Sequence, residues 1–259
     1  MQRIKVNWIP LMTDVIIPYR DTGNGRAEQL ARLLERLPSI LEPDSRVYIA
    51  EQVDSKLFNR GLMLNLGVRA AFADGRGNKL VLHDVDLLPS PEMRLLYARS
   101  FANPVHLAGQ WIGRYDCDPN YSGGVLGLSG RSFIDANGFP NSYYGWGGED
   151  EAFSWRLRKI GLKPRRPNAD PTRFFYDDME GLSLDEKLTR LRDQKEKCMK
   201  KWELKKSWAQ TWTQDGFCEI ELFASLGRVT TINMDHHASL VDYDHSKIIA
   251  DIKNGQPEN

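Results

Sequence analysis

The sequence predicts an α/β fold, with helices packed on a largely parallel sheet, and three observations support this prediction. Apolar runs typical of buried strands alternate with segments of helical spacing over residues 14–86. Such alternation is typical of strands that are joined by crossover helices and lie parallel in one sheet. The chain of 259 residues contains no internal repeat or clear linker and is long enough to bury the core of one domain. Its 35 basic and 35 acidic residues balance, so no overall charge favours nucleic acid as a partner.

The first half of the chain supplies the alternating elements of this sheet. The helices are predicted from apolar residues at spacings of three and four, and the strands from short apolar runs rich in β-branched residues. In chain order, the predicted elements are a strand over 14–18, a helix over 26–37 that Pro38 ends, a strand over 46–50, a helix over 56–73 and a strand over 79–83. The last strand runs directly into Asp84-Val85-Asp86, at the carboxyl end where such sheets bind ligands.

The second half is predicted to carry shorter elements, one long helix and a closing pair of strands. In chain order, these are a helix within 89–101, a strand over 105–108, a strand over 121–128, a helix over 129–137, a helix over 150–160, a helix over 183–208 and strands over 216–222 and 228–233. Ser183 and Glu186 predict a capping box at the start of the long helix. Its basic faces are expected to be solvated rather than to bind an anionic acceptor or lipid. The tail over 246–259 is expected to be disordered.

A glycine-rich loop over 145–148 leads into three consecutive acids, Glu149, Asp150 and Glu151. Its glycines allow the backbone to bend sharply and to approach a ligand closely. The acids alone favour a negatively charged first turn, which stabilises a helix N-terminus. Trp146 between two glycines favours a sugar site instead, because an indole ring covers a sugar face while carboxylates accept hydrogen bonds from its hydroxyls.

The Asp84-Val85-Asp86 segment is a candidate site for a divalent cation carried by a diphosphate. Hard oxygen ligands suit Mn²⁺ or Mg²⁺. Alternate residues of an extended chain point in opposite directions, so Asp86 is predicted to bind the metal while Asp84 reaches the nucleoside ribose. A motif this short is weak on its own, and two aspartates that cap a strand before a turn are the alternative. The strand end before it and the glycine–acid loop after it favour function.

Six segments of the chain carry a resemblance to a known family, and they cover 17–20, 58–61, 84–89, 121–125, 137–141 and 145–150. They stand in the order and approximate spacing of the β-1,4-galactosyltransferases, glycosyltransferase family 7, and the chain resembles that family over residues 14–168. The resemblance implies a GT-A fold, which is a Rossmann-like nucleotide-sugar-binding domain with a mixed central sheet and a C-terminal helical and β extension. It implies one catalytic domain over 1–259, with its core over 14–168 and the extension, including the long basic helix, over 169–245.

The resemblance implies an inverting, metal-dependent glycosyltransferase that moves galactose from UDP-galactose to a sugar hydroxyl, with a β-1,4 linkage. The implied cofactor is Mn²⁺, with Mg²⁺ as the alternative, and the implied partners are a UDP-sugar donor and a saccharide or glycoconjugate acceptor. One alternative is a UDP-GalNAc- or UDP-Glc-dependent transferase of polysaccharide assembly. Another is a sugar-binding module that has lost turnover, against which Asp86, Trp146 and Asp150 argue. A metal-dependent hydrolase that uses the acidic residues is a third alternative. It is disfavoured because the chain lacks the histidines and the nucleophile expected of such an enzyme.

The resemblance also implies the roles of individual residues. Asp150 matches the catalytic base and Asp86 the metal ligand. The positions that match the nucleotide-sugar pocket are Pro18, Tyr19, Arg20, Phe58, Arg60, Asp84, Val85, Tyr121, Gly124 and Trp146. The positions that match the acceptor site are Trp146, Glu149 and Glu151. Tyrosine at the position of Tyr121 accompanies galactose transfer in the family, which favours UDP-galactose as the donor.

The chain departs from the family pattern in its metal ligands. The family has a histidine-containing ligand pair after the Arg-Pro-Asn segment, whereas this chain has no histidine over 173–178. Asp177 or Asp178 is therefore predicted to supply an oxygen ligand, which shifts the preference toward harder cations. His236 and His237 are less favoured as ligands, and His83 is expected to have a packing or supporting role. Glu151 stands where the family often has aspartate, which leaves the acceptor open.

The cysteines and the apolar segments bear on location. Cys117, Cys198 and Cys218 form no CxxC pair and are expected to be reduced. No segment resembles a signal peptide or reaches the ~20 apolar residues of a membrane span. These features favour a cytoplasmic protein, unless an anchor has been removed, with peripheral association where the acceptor is linked to a membrane.

Overall fold

The computed structural model describes residues 12–21, 23–110, 121–145, 147–183, 185–186, 189 and 211–234. The strands are β1 (Asp14–Tyr19), β2 (Arg46–Gln52), β3 (Lys79–His83), β4 (Leu87–Pro89), β5 (Val105–His106), β6 (Val125–Ser129), β7 (Tyr176–Asp178) and β8 (Gly227–Asn233). The α-helices are α1 (Arg26–Ile40), α2 (Arg60–Ala73), α3 (Arg94–Tyr97), α4 (Gly130–Asp135) and α5 (Glu149–Lys159). Short 3₁₀ helices cover Pro91–Met93, Leu107–Gln110 and Phe217–Leu226.

Six of these strands form one mixed sheet in the order β5-β6-β3-β1-β2-β8. The central strand β1 lies parallel to β2 on one side and to β3 on the other. The outer strands β5, β6 and β8 run antiparallel to their neighbours. The α/β class and the mixed central sheet that the sequence predicts are therefore confirmed.

Helices cover both faces of the sheet, which explains why β1 is an uninterrupted apolar run rather than an alternating one. Every residue of β1 is buried. Val15 and Ile17 belong to the core cluster that contains the leucines of α1, whereas Ile16 packs with Leu64 and Val68 of α2. Gly67 lets α2 approach the sheet closely, because a Cβ there would overlap the Ile16 side chain.

Two helix boundaries differ from the sequence prediction. Pro38 lies inside α1, which continues to Ile40 instead of ending at the proline. Leu37 and Ile40 are both buried in the core, so packing carries the last turn past the missing N–H. The predicted helix over 56–73 begins only at Arg60, because the Asn59 side chain accepts a hydrogen bond from the N–H of Leu62 at 2.9 Å and caps the helix.

Other predicted elements are present but shorter, and one prediction is wrong. The strand over 121–128 begins only at Val125, and the strand over 105–108 ends at His106. The predicted strand over 216–222 is instead the 3₁₀ helix Phe217–Leu226, although the strand predicted beside it is confirmed as β8. Ile220 of that 3₁₀ helix is buried in a cluster with Leu62 and Met63 of α2, so it packs on a helix rather than pairing with a strand.

A second, two-stranded sheet was not predicted. Strands β4 and β7 pair antiparallel, with Leu87 opposite Asp178 and Pro89 opposite Tyr176. Strand β4 begins one residue after Asp86, so this pairing brings the segment over 176–180 beside the predicted metal ligand.

Several predictions concern residues outside the described ranges: Trp146, Cys117, Cys198, His236, His237, the tail over 246–259 and most of the long helix over 183–208. The capping box at the start of that helix is confirmed. The Ser183 N–H donates to Glu186 Oε2 at 2.7 Å, and the Glu186 N–H donates to Ser183 Oγ at 3.2 Å. Among the residues that the structure describes, none of the helices is both long and apolar enough to cross a bilayer.

Candidate functional site

One guanidinium group joins the two acidic segments that the sequence singles out. Arg60, the first residue of α2, donates from Nε to Asp84 Oδ1 at 2.6 Å and from Nη1 to Asp150 Oδ1 at 2.7 Å. The same Nη1 lies 3.9 Å from Glu149 Oε1. Asp84 directly follows β3, and Asp150 lies in the first turn of α5. Residues far apart in the chain therefore meet at the carboxyl end of the central sheet, where α/β sheets bind ligands.

Buried asparagines fix the position of Arg60 relative to the loop before α5. Asn59 Nδ2 donates to the carbonyl oxygen of Asn141 at 2.6 Å. Asn65 Nδ2 donates to Asn141 Oδ1 and to the carbonyl oxygen of Phe139, each at 2.8 Å. Asn59, Asn65 and Asn141 are fully buried, so these bonds are shielded from water and hold the two elements in register. The sequence analysis assigned no role to these asparagines, although Asn59 and Asn141 lie within its motifs and Asn65 lies about one helical turn after the first of them.

The glycine loop is tied to the same helix start. The Gly145 N–H donates to the carbonyl oxygen of Phe58 at 2.8 Å, just before Arg60. Gly148 precedes α5 with φ 99°, a left-handed conformation that glycine adopts without strain. Glu149, Asp150 and Glu151 then occupy the first helical turn, where the helix dipole favours negative charge. Glu149 and Asp150 are buried, whereas Glu151 is half-exposed.

Tyr121 and Gly123 enclose the Asp150 carboxylate on its other side. The Tyr121 hydroxyl donates to Asp150 Oδ2 at 3.2 Å. A Cβ at Gly123 would overlap both that carboxylate and the Tyr121 hydroxyl, so the space requires glycine. His106 Nε2 lies 2.7 Å from the carbonyl oxygen of Gly123, and the Ser122 and Ser154 hydroxyls share a hydrogen bond below the bend. The Gly-Gly segment that the sequence singled out therefore lines the site.

The charges around Arg60 change the pKa values of the groups there. Burial raises the pKa of Asp84 to about 6; the Arg60 charge opposes this shift, while the charges of Asp86 and Asp150 add to it. Burial lowers the pKa of Arg60, but Asp150, Asp84 and Glu149 together outweigh it and raise that pKa well above its usual value. The site thus concentrates carboxylates around one permanently charged arginine.

A second acidic group lies beside this site. Asp86, Asp178 and Glu180 each present a carboxylate oxygen, and these oxygens all lie within 4.8 Å of one another. The β4–β7 pairing assembles the group, and the Met179 N–H donates to the carbonyl oxygen of Asp86 at 2.8 Å. Three carboxylates are a hard donor set that fits Mn²⁺ or Mg²⁺. The group contains Asp178 and not Asp177, whose side chain is exposed.

Glu180 is the member of this group that the sequence analysis missed. A signal for it was present, because Asp178 and Glu180 repeat the one-residue spacing of Asp84 and Asp86. Within the described residues, His83 is fully buried against the rings of Tyr97 and Tyr176 and lies outside the acidic group.

Most of the other described residues that are predicted for the nucleotide-sugar pocket lie around the same strand ends, and Phe58 lies just before α2. Pro18 and Tyr19 end β1 and are buried, and Arg20 donates to the carbonyl oxygen of Lys56. Gly124, with φ 79°, accepts a hydrogen bond from the Asp84 N–H at 3.0 Å. Val85 is buried, and Phe58 packs against the cluster around Leu62 and Met63.

Comparisons with known proteins point to one family. The family described as "N-terminal region of glycosyl transferase group 7" matches residues 10–99, and the family described as "N-terminal domain of galactosyltransferase" matches residues 104–177. Beta-1,4-galactosyltransferase 3 of Cricetulus griseus is 38% identical over 160 residues, which cover 60% of this chain and 39% of that protein. Beta-1,4-galactosyltransferase 1 of Bos taurus is 38% identical over 165 residues, or 62% of this chain and 40% of that protein.

Solved structures give the same picture. The catalytic domain of Drosophila beta1,4galactosyltransferase 7, in complex with xylobiose, is 29% identical with a TM-score of 0.55, covering 65% of this chain and 70% of that chain. A mutant of the Drosophila enzyme, in complex with manganese, UDP-Gal and xylobiose, matches with the same values. The chain therefore spans about 40% of the length of the curated relatives it matches and most of a solved catalytic domain.

Proposed function

Because the chain belongs to the β-1,4-galactosyltransferase family, glycosyltransferase family 7, and has its GT-A fold, we propose that it is an inverting, metal-dependent galactosyltransferase. It would transfer galactose from UDP-galactose to a sugar hydroxyl with a β-1,4 linkage. The observation that carries this proposal is the double ion pair of Arg60 with Asp84 and Asp150. It supports a single cleft in which the donor side and the base side of a transfer reaction face each other.

Asp150 is the proposed general base. Its carboxylate would accept the proton of the acceptor hydroxyl as that oxygen attacks the anomeric carbon from the face opposite the leaving UDP. Tyr121 and Arg60 bond to different oxygens of this carboxylate and hold it in one orientation. A fixed carboxylate at a helix N-terminus needs little reorganisation when the reaction begins.

Asp86, Asp178 and Glu180 are the proposed ligands of the divalent cation, with Mn²⁺ first and Mg²⁺ second. When bound, such a cation neutralises the charge that develops on the leaving diphosphate. Asp84 and the residues at the ends of β1 and β3 would hold the nucleotide. The manganese in the Drosophila relative supports this assignment. Asp177 is a less favoured candidate for a metal ligand, since it lies outside the acidic group.

The donor sugar and the acceptor are proposed from the residues around Asp150. Tyr121 stands where the family pattern favours galactose, and the Drosophila relative was solved with UDP-Gal and xylobiose. Trp146, Glu149 and Glu151 are proposed to hold a saccharide or glycoconjugate acceptor. The proposal treats 1–259 as one catalytic domain, with its core over 14–168. A cytoplasmic location and peripheral association with a membrane-linked acceptor stay predictions.

The test is a transfer assay with a panel of UDP-sugars, a library of saccharide acceptors and Mn²⁺, with products identified by mass and linkage by NMR. We expect UDP-galactose to be the preferred donor and Asp150→Asn to stop product formation while UDP still binds. A preference for UDP-GalNAc or UDP-glucose would change the donor but keep the mechanism. Acceptor binding without any Mn²⁺-dependent UDP binding would favour the sugar-binding module instead.

A further inference from the structure

The proposed metal ligands already have a cation beside them, the guanidinium group of Arg26. Arg26 Nη2 lies 2.7 Å from Glu180 Oε1, and Nη1 lies 3.3 Å from Asp86 Oδ2. These two contacts join residues from different strands of the small sheet, since Asp86 directly precedes β4 and Glu180 follows β7. A single arginine thus bridges two of the three carboxylates that would hold a divalent ion.

The charge balance explains why a cation is needed there. Three carboxylates with oxygens within 4.8 Å of one another repel each other unless positive charge lies between them. Burial lowers the pKa of Arg26, but the charges of Asp86 and Glu180 outweigh it, so the pKa is raised and the guanidinium stays charged. The Arg26 side chain is 23% exposed and the Asp86 side chain 13%, so water screens this contact only in part.

We propose that Arg26 is an internal counter-ion that holds the carboxylates of Asp86 and Glu180 when no metal is bound and leaves them when the metal binds. The inference rests on the proposed function, because it takes Asp86, Asp178 and Glu180 as metal ligands. A Mg²⁺ ion would need oxygens of the same carboxylates at about 2.0–2.1 Å. The guanidinium and the metal therefore compete for one pair of carboxylates.

Gln29 gives the Arg26 side chain a hydrogen-bond partner outside the acidic group. Its Nη1 also donates to Gln29 Oε1, one turn further along α1, at 2.9 Å. Gln29 belongs to the same helix as Arg26, so this bond can persist when the contacts across the acidic group break.

The test compares Mn²⁺ binding without nucleotide in the wild type, Arg26→Gln and Arg32→Gln, with free Mn²⁺ measured by electron paramagnetic resonance. Arg32 lies on the same helix but is exposed, so Arg32→Gln makes the same charge change away from the acidic group. We expect Arg26→Gln to bind Mn²⁺ about tenfold more tightly, because the competitor is gone, and Arg32→Gln to bind like the wild type. A larger rise in melting temperature on Mn²⁺ addition is expected for Arg26→Gln as well.

The outcomes separate this inference from the function on which it rests. Equal or weaker Mn²⁺ binding by Arg26→Gln, while Asp86→Asn abolishes binding to the wild-type scaffold, overturns the counter-ion role and leaves the metal site standing. If Arg26→Gln and Arg32→Gln tighten Mn²⁺ binding equally, the effect comes from the change in net charge alone. That result also overturns the counter-ion role of Arg26. No Mn²⁺ binding by any folded variant, checked by circular dichroism, removes the metal site and the inference together.

Discussion

Two neighbouring acidic patches each contact one arginine, and the two arginines differ in how firmly they are held. In the Arg60 patch, that arginine faces Asp84, Glu149 and Asp150. In the Arg26 patch, that arginine faces Asp86 and Glu180. Arg60 makes ion pairs of 2.6 and 2.7 Å, and its side chain is 12% exposed. Arg26 makes contacts of 2.7 and 3.3 Å and is about twice as exposed. Each arginine is the first residue of its helix, where the helix dipole disfavours a cation, so the facing acids are what stabilise it there.

This difference teaches which charge is permanent and which is exchangeable. Arg60 is locked by the Asn59 cap and by a buried asparagine network, and its removal would leave buried carboxylates unpaired. Arg26 faces carboxylates that are proposed to bind a metal ion in its place. Under the proposed function, the Arg60 patch is therefore preorganised for proton transfer and the Arg26 patch for accepting a metal ion.

The largest effect should come from Asp150, the proposed base in the Arg60 patch. We expect Asp150→Asn to lower transfer by about 1,000-fold, because general base catalysis is worth roughly 10² to 10⁴ in rate. The neighbouring Glu151→Gln, which changes the same charge at a half-exposed position, should cost less than about tenfold and act mainly through the acceptor KM. Initial rates with UDP-galactose measure both. Near-normal turnover by Asp150→Asn would mean that another group takes the proton.

The next effect sharpens the definition of the Arg26 patch. Asp86→Asn should lower kcat/KM by about 100-fold and abolish Mn²⁺ binding, since metal stabilisation of the leaving group is worth several kcal/mol. Asp177→Asn removes a neighbouring exposed carboxylate from β7 and should leave Mn²⁺ binding unchanged. Mn²⁺ titration of the two variants separates them. A loss of binding in Asp177→Asn of the same size as in Asp86→Asn would move the ligand to Asp177.

Stability measurements test whether Arg60 is the firmer of the two arginines. Arg60→Ala should lower the free energy of unfolding by about 3 kcal/mol, because breaking a buried pair leaves uncompensated charges. Arg26→Ala should cost only about 1 kcal/mol, as expected for a partly exposed pair. Urea denaturation with Mn²⁺ chelated gives both values. Equal losses would remove the distinction between a permanent and an exchangeable charge.

The smallest effect concerns the pH dependence of stability that comes from His106, which contacts the Gly123 carbonyl oxygen beside Asp150. Burial lowers the pKa of His106 from 6.5 to about 4, so the unfolded chain binds this proton more readily than the folded one. Stability from neutral His106 is therefore present above pH 6.5 and lost as the pH falls toward 4, with a slope of at most ~1.4 kcal/mol per pH unit. We expect His106→Asn to remove this contribution from the slope. His106→Asn keeps two other contributions to the slope. Buried His83, whose pKa is also lowered to about 4, contributes with the same sign, and Asp84, whose pKa is raised to about 6, contributes with the opposite sign.

Urea denaturation at several pH values between 4 and 7 measures the slope for the wild type and His106→Asn. The charges of Asp150 and Arg166 also influence the pKa of His106. The same comparison is therefore made in an Asp150→Asn background, which removes one of these charges. An unchanged slope in His106→Asn would show that this histidine does not titrate in the window.

The sequence was informative wherever a local pattern coincided with a local structure. β1, β2 and β3 follow apolar runs, and the motifs around Asp84 and Asp150 lie where strand ends and a glycine loop predicted them. Local patterns gave the wrong secondary structure where tertiary packing outweighs local preference. The two cases are Pro38, which lies inside α1, and the 3₁₀ helix over Phe217–Leu226. In both places buried side chains determine the backbone, and their burial is a property of the whole fold.

The metal-binding candidates show a second limit. Asp86 was predicted from its own motif, but Glu180 depends on the pairing of β4 with β7. Each of these strands has three residues, too few for a periodic signal. The contact of Arg26 with both carboxylates depends on the same pairing, so sequence reasoning could not reach it.

The small β4–β7 sheet has a further consequence for the proposed metal site. It is not hydrogen-bonded to the six-stranded sheet, and its pairing positions Asp178 and, just after β7, Glu180. An exchange of the side chain at 178 or 180 would therefore leave the central strands and Asp150 in place. Under the proposed function, the choice of cation would then be set by a unit of the fold that is separate from the proposed base.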